Sequence, residues 1–467
     1  MNKPRRARVG LLGLMFDLYD AWPELKPMMT EFGEELVRTL APFEEADFPG
    51  VCNRREQVDA AVARWEAEGR DLIVVVLLTY TPSHVALPAL ISTRLPLLVF
   101  NTQQLHAVDR NTLGIDTTKN HGMHGVQDLS NVLLRAGREF HIVTGHYKAP
   151  PTLDEVKAWC DAARVAHDMR GTRIGLVGYA MEGMGDFGLD ETAFLSQAGV
   201  EVRRIGMADL ARRARQAPEV MISGEIATDR ERFEFADDVT TSEHDASVRL
   251  EWALRETLKE RGMSGFAAHF LAVGDEGTLD TLPFLAASKL LAEGYGFGGE
   301  GDVTSAAAVC MMQKLAGMAN FTEMFTMDFA NNAVLMMHMG EGNWRMARKD
   351  EPVHVLRNSL DAIMDVRTSP VLLSFSLEPG EVTLVSLTTG ADGGLKLVAT
   401  EGHVLDFPYL PDLARPHYKF QPDGELGGFL TRFSEEGGSH HQALAYGRWA
   451  STVEKIAAIM GVGYARV

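Results

Sequence analysis

Residues 72–78 read LIVVVLL, seven apolar side chains in a row, four of them β-branched. A strand built from such a run has no polar face to turn to water, so both of its faces must be covered. Parallel sheets meet that demand, because the crossover helices that join their strands lie on both faces. The flanking sequence fits this arrangement. Residues 9–14 read as a strand, and residues 26–40 as a helix with apolar positions three and four apart. Another helix is expected over 57–68, and the short apolar runs at 97–100 and 141–144 repeat the buried-strand signal. Strands alternating with helices predict βαβ units and a parallel sheet.

The pattern then restarts. After a helix over 152–169, residues 172–177 (TRIGLV) and 200–206 read as strands, with a helix beginning at 192–197 between them. Helices over 244–261 and 282–293 follow, so a second doubly wound α/β domain is expected. The last third differs. Residues 371–377, 381–388 and 395–404 are short, partly alternating, and separated by Pro379-Gly380 and by the GADGG turn at 390–394. These are antiparallel strands of a sandwich or barrel, and a final helix is expected over 443–460. The 467 residues therefore divide into an N-terminal α/β domain (1–169), a central α/β domain (170–318) and a C-terminal β-rich barrel domain (319–467).

Charge and cysteine usage narrow the function classes. With 45 basic against 64 acidic residues the net charge is −19, which argues against nucleic acid or an anionic membrane as partner. Cys52, Cys160 and Cys310 are far apart and form no CxxC pair, as expected of a reducing cytoplasm without structural bridges. The basic residues 1–8 run into the apolar 9–16, but Asp17 and Asp20 interrupt the run, which favours a first strand over a signal peptide. No stretch reaches the roughly 18 apolar residues of a membrane span. A soluble, cytoplasmic protein is expected.

Chemistry concentrates after residue 290. Residues 294–302 (GYGFGGEGD) lie between a helix ending near 293 and another starting near 303. So many glycines imply backbone that turns sharply or approaches a ligand closely. A phosphate-binding loop follows a strand, whereas this segment reads as following a helix, so a glycine-rich interhelical turn is the alternative. Glu300 stands in that glycine frame. Glu323 lies in 320–329 (NFTEMFTMDF), flanked by Phe321, Met324, Phe325 and Met327. Burying a carboxylate there is costly without a cation or donors, and a surface position at the edge of the segment is the alternative. His338 sits in the apolar 333–339 (AVLMMHM), as a core histidine or a ligand. His440 and His441 are adjacent in 437–443 (GGSHHQA), and on an extended chain neighbours point to opposite faces, so one of the two reaches any common point. Two carboxylates and up to two imidazoles suit a divalent cation such as Mn²⁺, or else Co²⁺ or Mg²⁺. The acidic run 225–238 (EIATDRERFEFADD) reads as a solvated face.

These segments, in this order and at these separations, resemble the L-arabinose isomerase family. Upstream, Asn101-Thr102-Gln103, His124-Gly125, Thr144-Gly145-His146, Leu18-Tyr19 and Leu282-Pro283 carry the likeness over nearly the whole chain. The resemblance implies two flavodoxin-like α/β domains and a C-terminal β-barrel, in a homotetramer or homohexamer with active sites between subunits. It implies metal ligation by Glu300, Glu323, His338 and His441, with Glu300 and Glu323 moving the proton of an aldose–ketose isomerisation. His124, Gln127 and His440 then fall on the substrate side. The chain departs from the family in three places. Phe16 and Asp17 stand where the family has glutamine and histidine, and the HG pair continues as Val126-Gln127-Asp128 rather than Gly-Arg-Glu. A pocket phenylalanine of the family falls on the smaller Val273. L-Arabinose, D-galactose (giving D-tagatose) and L-fucose are thus all candidate sugars, and a metal-free sugar-binding or regulatory protein is the rival from another class.

Overall fold

Leu72–Leu77 is a strand buried along its whole length between two parallel neighbours. In the computed structural model, which describes residues 4–358 and 366–467, the chain forms a unit of Arg5–His167 and a unit of Asp168–Val467.

The first unit contains β1 (Ala7–Leu14), β2 (Glu44–Asp47), β3 (Leu72–Leu77), β4 (Leu97–Asn101) and β5 (His141–Thr144), all parallel in the order β2-β1-β3-β4-β5. Leu12, Leu14, Trp65, Ile73, Val75, Val99, Leu129 and Leu133 share one core cluster. Each such fully buried aliphatic or aromatic side chain contributes about 1.5–3 kcal/mol through removal from water. The strand order reverses between β1 and β3, which opens a crevice at their carboxyl ends. Phe16 follows β1 and Tyr80 follows β3, and their rings meet edge to face at 5.8 Å. Tyr80 in turn stacks on His124 at 5.0 Å.

The second unit carries two α/β and β-rich portions. Its strands in chain order are β6 (Arg173–Val177), β7 (Glu201–Ile205), β8 (Glu234–Phe235), β9 (Gly265–Ala268) and β10 (Gly296–Gly298). They continue as β11 (Asn320–Asp328), β12 (Ala333–Met337), β13 (His354–Arg357), β14 (Val371–Ser374) and β15 (Gly380–Thr389). The last are β16 (Leu395–Val404), β17 (His417–Pro422), β18 (His441–Tyr446) and β19 (Gly463–Arg466). A parallel sheet runs β10-β9-β6-β7, and a small sheet runs β14-β13-β8. The largest sheet runs β15-β18-β11-β12-β17-β16-β19; β15 also pairs with β16, so its order returns to its first strand. Val334, Met336, Leu384, Val398, Phe420, Phe429 and Leu444 belong to the core beneath it. The helix Val303–Ala316 is buried on nearly every side and packs against β9 and β10 as well as β15 and β18, joining the parallel sheet to the large one. Its run of small residues permits that approach.

Three expectations need correction. Residues 443–446 are not helical: they belong to β18, held between β11 and β15, and the last helix is Ala450–Met460. The segment HQALAY (441–446) has no helical period, and pairing on both sides decides it. Residues 296–298, read as part of a turn, form a strand beside β9, invisible locally because two of its three residues are glycine. The acidic run is a solvated face only in part: residues 230–232, 237 and 238 are exposed, whereas Phe233 is buried and Asp229 fully so. There the Lys289 ammonium lies 2.8 Å from Asp229, 2.5 Å from Glu225 and 2.9 Å from Glu251, so a metal-like trio of carboxylates already holds a cation of its own. All three cysteines are buried and free, and among the described residues no helix is long and apolar enough to cross a membrane.

Glu44 yields a stability prediction. It is buried in the first unit, accepting a bond from Cys160 Sγ at 3.0 Å, and burial pushes its carboxyl from an ordinary 4.5 up to about 7. A group whose folded pKa is raised contributes stability that is present below its unfolded pKa and is lost as pH rises through the folded value. The urea midpoint of the wild type should therefore fall between pH 4.5 and 7 more than that of Glu44→Gln, in which this titration is absent. Parallel pH profiles of the two proteins would refute the assignment.

Candidate active site

Between β10 and the helix Val303–Ala316 the chain makes one tight turn, with Glu300 in the left-handed region at φ 57°, ψ 18°. For a residue with a Cβ this costs about 1–2 kcal/mol. Its two flanking glycines show what sits so close. A Cβ at residue 299 would lie 2.5 Å from Cε1 of His338, and one at Gly301 (φ 79°) would lie 2.3 Å from the Tyr179 carbonyl oxygen. Backbone strain of this kind persists where surrounding structure enforces it, and it marks functional positions.

Asp302 fixes the next part. Its Oδ1 accepts the backbone N–H groups of Thr304 (2.9 Å) and Ser305 (3.0 Å), capping the helix. Its Oδ2 accepts from Nδ1 of His441 at 3.1 Å. The carboxylate fills the helix N-terminus, so the phosphate-loop reading falls even though a strand does precede the turn. With Nδ1–H engaged, His441 keeps its lone pair on Nε2. The same arrangement occurs twice more: His338 Nδ1 is 2.8 Å from Glu341 Oε2, and His440 Nδ1 is 2.6 Å from Asp186 Oδ2. Phe321 packs against both His338 (4.8 Å) and His441 (5.0 Å), and the rings of those histidines lie 5.2 Å apart.

Charge follows from this geometry. Burial works against an ionised Glu300, but His440, His338 and His441 outweigh it and hold the carboxyl below its ordinary value. Burial likewise opposes ionised Asp302, and the bonds from His441, Thr304 and Ser305 prevail. Asp186, followed by Glu300, raises His440 to about 10, while Glu341 raises His338 against its burial. His440 Nε2 stands 3.5 Å from Glu300 Oε2, an ionic neighbour rather than a well-formed hydrogen bond.

Glu300 Oε2 and His441 Nε2 face each other at 3.6 Å, both buried and both without a hydrogen-bond partner among the described residues. Leaving either atom unsatisfied costs about 1–3 kcal/mol. A divalent cation bonding both removes that cost, and oxygen with imidazole nitrogen is a donor set such ions accept. Glu300, His440 and His441 all offer ligand atoms within 4.8 Å of one another.

The other sequence-predicted residues fall in different places. Glu323 is half-buried on β11 directly opposite His441, so the two share a face of the sheet, and its charge is among those that favour protonation of His338 and His440. His338 follows the end of β12. Val273 is buried within the helix Phe270–Glu276. Phe16, His124 and Gln127 belong to the first unit, the first two in its aromatic crevice and Gln127 exposed on the helix Met123–Arg135. Sequence reading missed the carboxylates that orient the imidazoles. Asp302 carries a local signal, an acidic residue before Val-Thr-Ser at a helix start. Glu341 lies three residues after His338, and Asp186 has no local signal at all.

Replacing Asp302 tests this construction. Asp302→Ala removes a helix cap and strands a buried imidazole N–H, for an expected loss of about 2–4 kcal/mol. Asp302→Asn keeps the cap and should lose less than half as much. Urea denaturation of both variants decides; equal losses would show that the His441 contact, rather than the cap, dominates.

Comparison with known proteins places this geometry. Residues 44–171 match the L-arabinose isomerase N-terminal domain, residues 188–318 the L-arabinose isomerase central domain and residues 318–463 the L-arabinose isomerase C-terminal domain. L-arabinose isomerase from Acidothermus cellulolyticus is 27% identical over 427 residues, covering 88% of this chain and 81% of that protein. L-arabinose isomerase 1 from Bacillus licheniformis is 27% identical over 80% of this chain and 76% of its own length. For L-arabinose isomerase from Thermotoga maritima the figures are 27%, 80% and 75%. With all three domains matched in order along one chain, the protein belongs to the L-arabinose isomerase family of sugar isomerases.

Proposed function

We propose that this chain is a metal-dependent aldose–ketose isomerase that converts L-arabinose to L-ribulose, D-galactose to D-tagatose, or both. One observation carries the reading: the facing, unpartnered pair of Glu300 Oε2 and His441 Nε2, whose imidazole is locked in the ligand tautomer by Asp302. Glu300, Glu323, His338 and His441 would hold the cation, Mn²⁺ by preference and Co²⁺ or Mg²⁺ otherwise. When bound, such an ion supplies electrophilic polarisation of the sugar carbonyl.

The chain's own residues do the rest. One of Glu300 and Glu323 takes the proton from C2 as the C2–H electrons form the enediolate double bond. Returning that proton to C1, with the hydroxyl proton passing from O2 to O1, completes the ketose. His440, with a nitrogen directed at Glu300, is placed to donate to a reacting oxygen. Val273, smaller than the phenylalanine of the family at that position, supports a sugar longer than a pentose. Phe16 favours a second reading, an isomerase for a sugar with an apolar end such as L-fucose, because its ring meets Tyr80 where the family has a polar side chain. The fold that goes with the function is two flavodoxin-like domains and a barrel, assembled as a cytoplasmic homotetramer or homohexamer with sites between subunits.

Ketose formation on EDTA-stripped protein, with and without Mn²⁺, across L-arabinose, D-galactose and L-fucose is the test. Product from one sugar that returns with the metal is expected, and Glu300→Gln or Glu323→Gln should lower kcat at least 100-fold while sugar binding persists. Wild-type turnover in either variant, or none in the metal-loaded wild type, would sink the reading in favour of a sugar-binding protein.

A further inference from the structure

The segment after β6, residues 179–187, touches both halves of the site. The Met181 backbone N–H donates to the Glu300 carbonyl at 2.9 Å. A few residues on, Asp186 reaches the turn before β18, more than 250 residues away in sequence. Its Oδ2 accepts from Ser439 Oγ at 3.0 Å, from the His440 backbone N–H at 3.1 Å and from His440 Nδ1 at 2.6 Å. Phe187 is buried beside it, its ring nearly parallel to that of His441 (10°) and 5.7 Å from the rings of both histidines.

The two histidines depend on this segment unequally. His441 is fully buried, gripped by Asp302 and by Phe321 and Phe187. The His440 side chain is one-third exposed; its ring leans on that of His441 at 4.1 Å, and the hydrogen bond that fixes its rotation about χ2 is the one from Nδ1 to Asp186. We propose that Asp186 is a positioning residue for His440, orienting the ring so that Nε2 faces Glu300 and the reacting sugar, without taking part in holding the metal. A short, charge-assisted bond of this kind is well suited to fixing an imidazole. The proposal rests on the isomerase reading for its catalytic consequence, and on the contacts alone for its geometry.

The test compares Asp186→Ala, Asp186→Asn, His440→Ala and the Asp186→Ala/His440→Ala double variant in the full-length protein. Asp186→Ala should lower kcat at least tenfold on the sugar that the wild type converts, and leave the calorimetric Kd for Mn²⁺ within threefold. Asp186→Asn should recover part of the loss, because its amide oxygen still accepts from Nδ1–H. The double variant should be no slower than His440→Ala, since residues that act as a unit are not additive. Losses that multiply in the double variant would overturn the proposal, and so would a loss of Mn²⁺ affinity as large as the loss of turnover. Should the wild type convert no sugar, the isomerase reading fails by itself, and a crystal structure of Asp186→Ala decides the geometry. A rotated His440 ring beside an unmoved His441 supports the proposal, and an unmoved His440 overturns it.

Discussion

One carboxylate, Asp302, binds with one oxygen the start of the helix Val303–Ala316 and with the other the imidazole of His441 on β18. That helix packs between two sheets, against β9 and β10 of the parallel one and against β15 and β18 of the large one. Asp302 is completely buried, which is tolerable because both oxygens are engaged. The contact thus sets the distance between the glycine-framed turn and the large sheet, and with it the distance from Glu300 to His441.

Around that contact the site is built from constraints that would be costly anywhere else. Glu300 takes a left-handed conformation that glycine would adopt freely, and the glycines on either side give up their Cβ atoms to His338 and to the Tyr179 carbonyl. Each of the three imidazoles has a carboxylate on Nδ1, so every Nε2 is assigned a direction before any ligand arrives. Such preorganisation, with strain absorbed by a well-packed surrounding, is how an enzyme presents charge without rearranging during the reaction. The contrast with Lys289 is instructive. There three carboxylates at metal-like separations already surround a lysine ammonium, which supplies the positive charge that an ion would otherwise bring.

Much of this was readable in the chain. The β-branched run at 72–78 is a central parallel strand because its chemistry permits nothing exposed, and Glu300, His338 and His441 stand out because a charged or polar residue interrupts glycine or apolar sequence. What was not readable has a common cause. The strand Gly296–Gly298 has no side-chain pattern to betray it, and residues 443–446 are a strand because β11 and β15 flank them. Asp229 looks like any acidic surface residue until Lys289 arrives from another helix.

The sequence by itself determined the alternation of strands and helices, the change to antiparallel strands in the last third, and which carboxylates and imidazoles interrupt glycine-rich or apolar sequence. These are local properties, set by side-chain chemistry and period. The tertiary structure alone decided that Asp186, Asp302 and Glu341 each orient a histidine, and that Glu300 faces His441 across 3.6 Å. Orientation of an imidazole depends on what approaches its second nitrogen, and for His440 and His441 that partner comes from another part of the chain, where no local pattern can encode it.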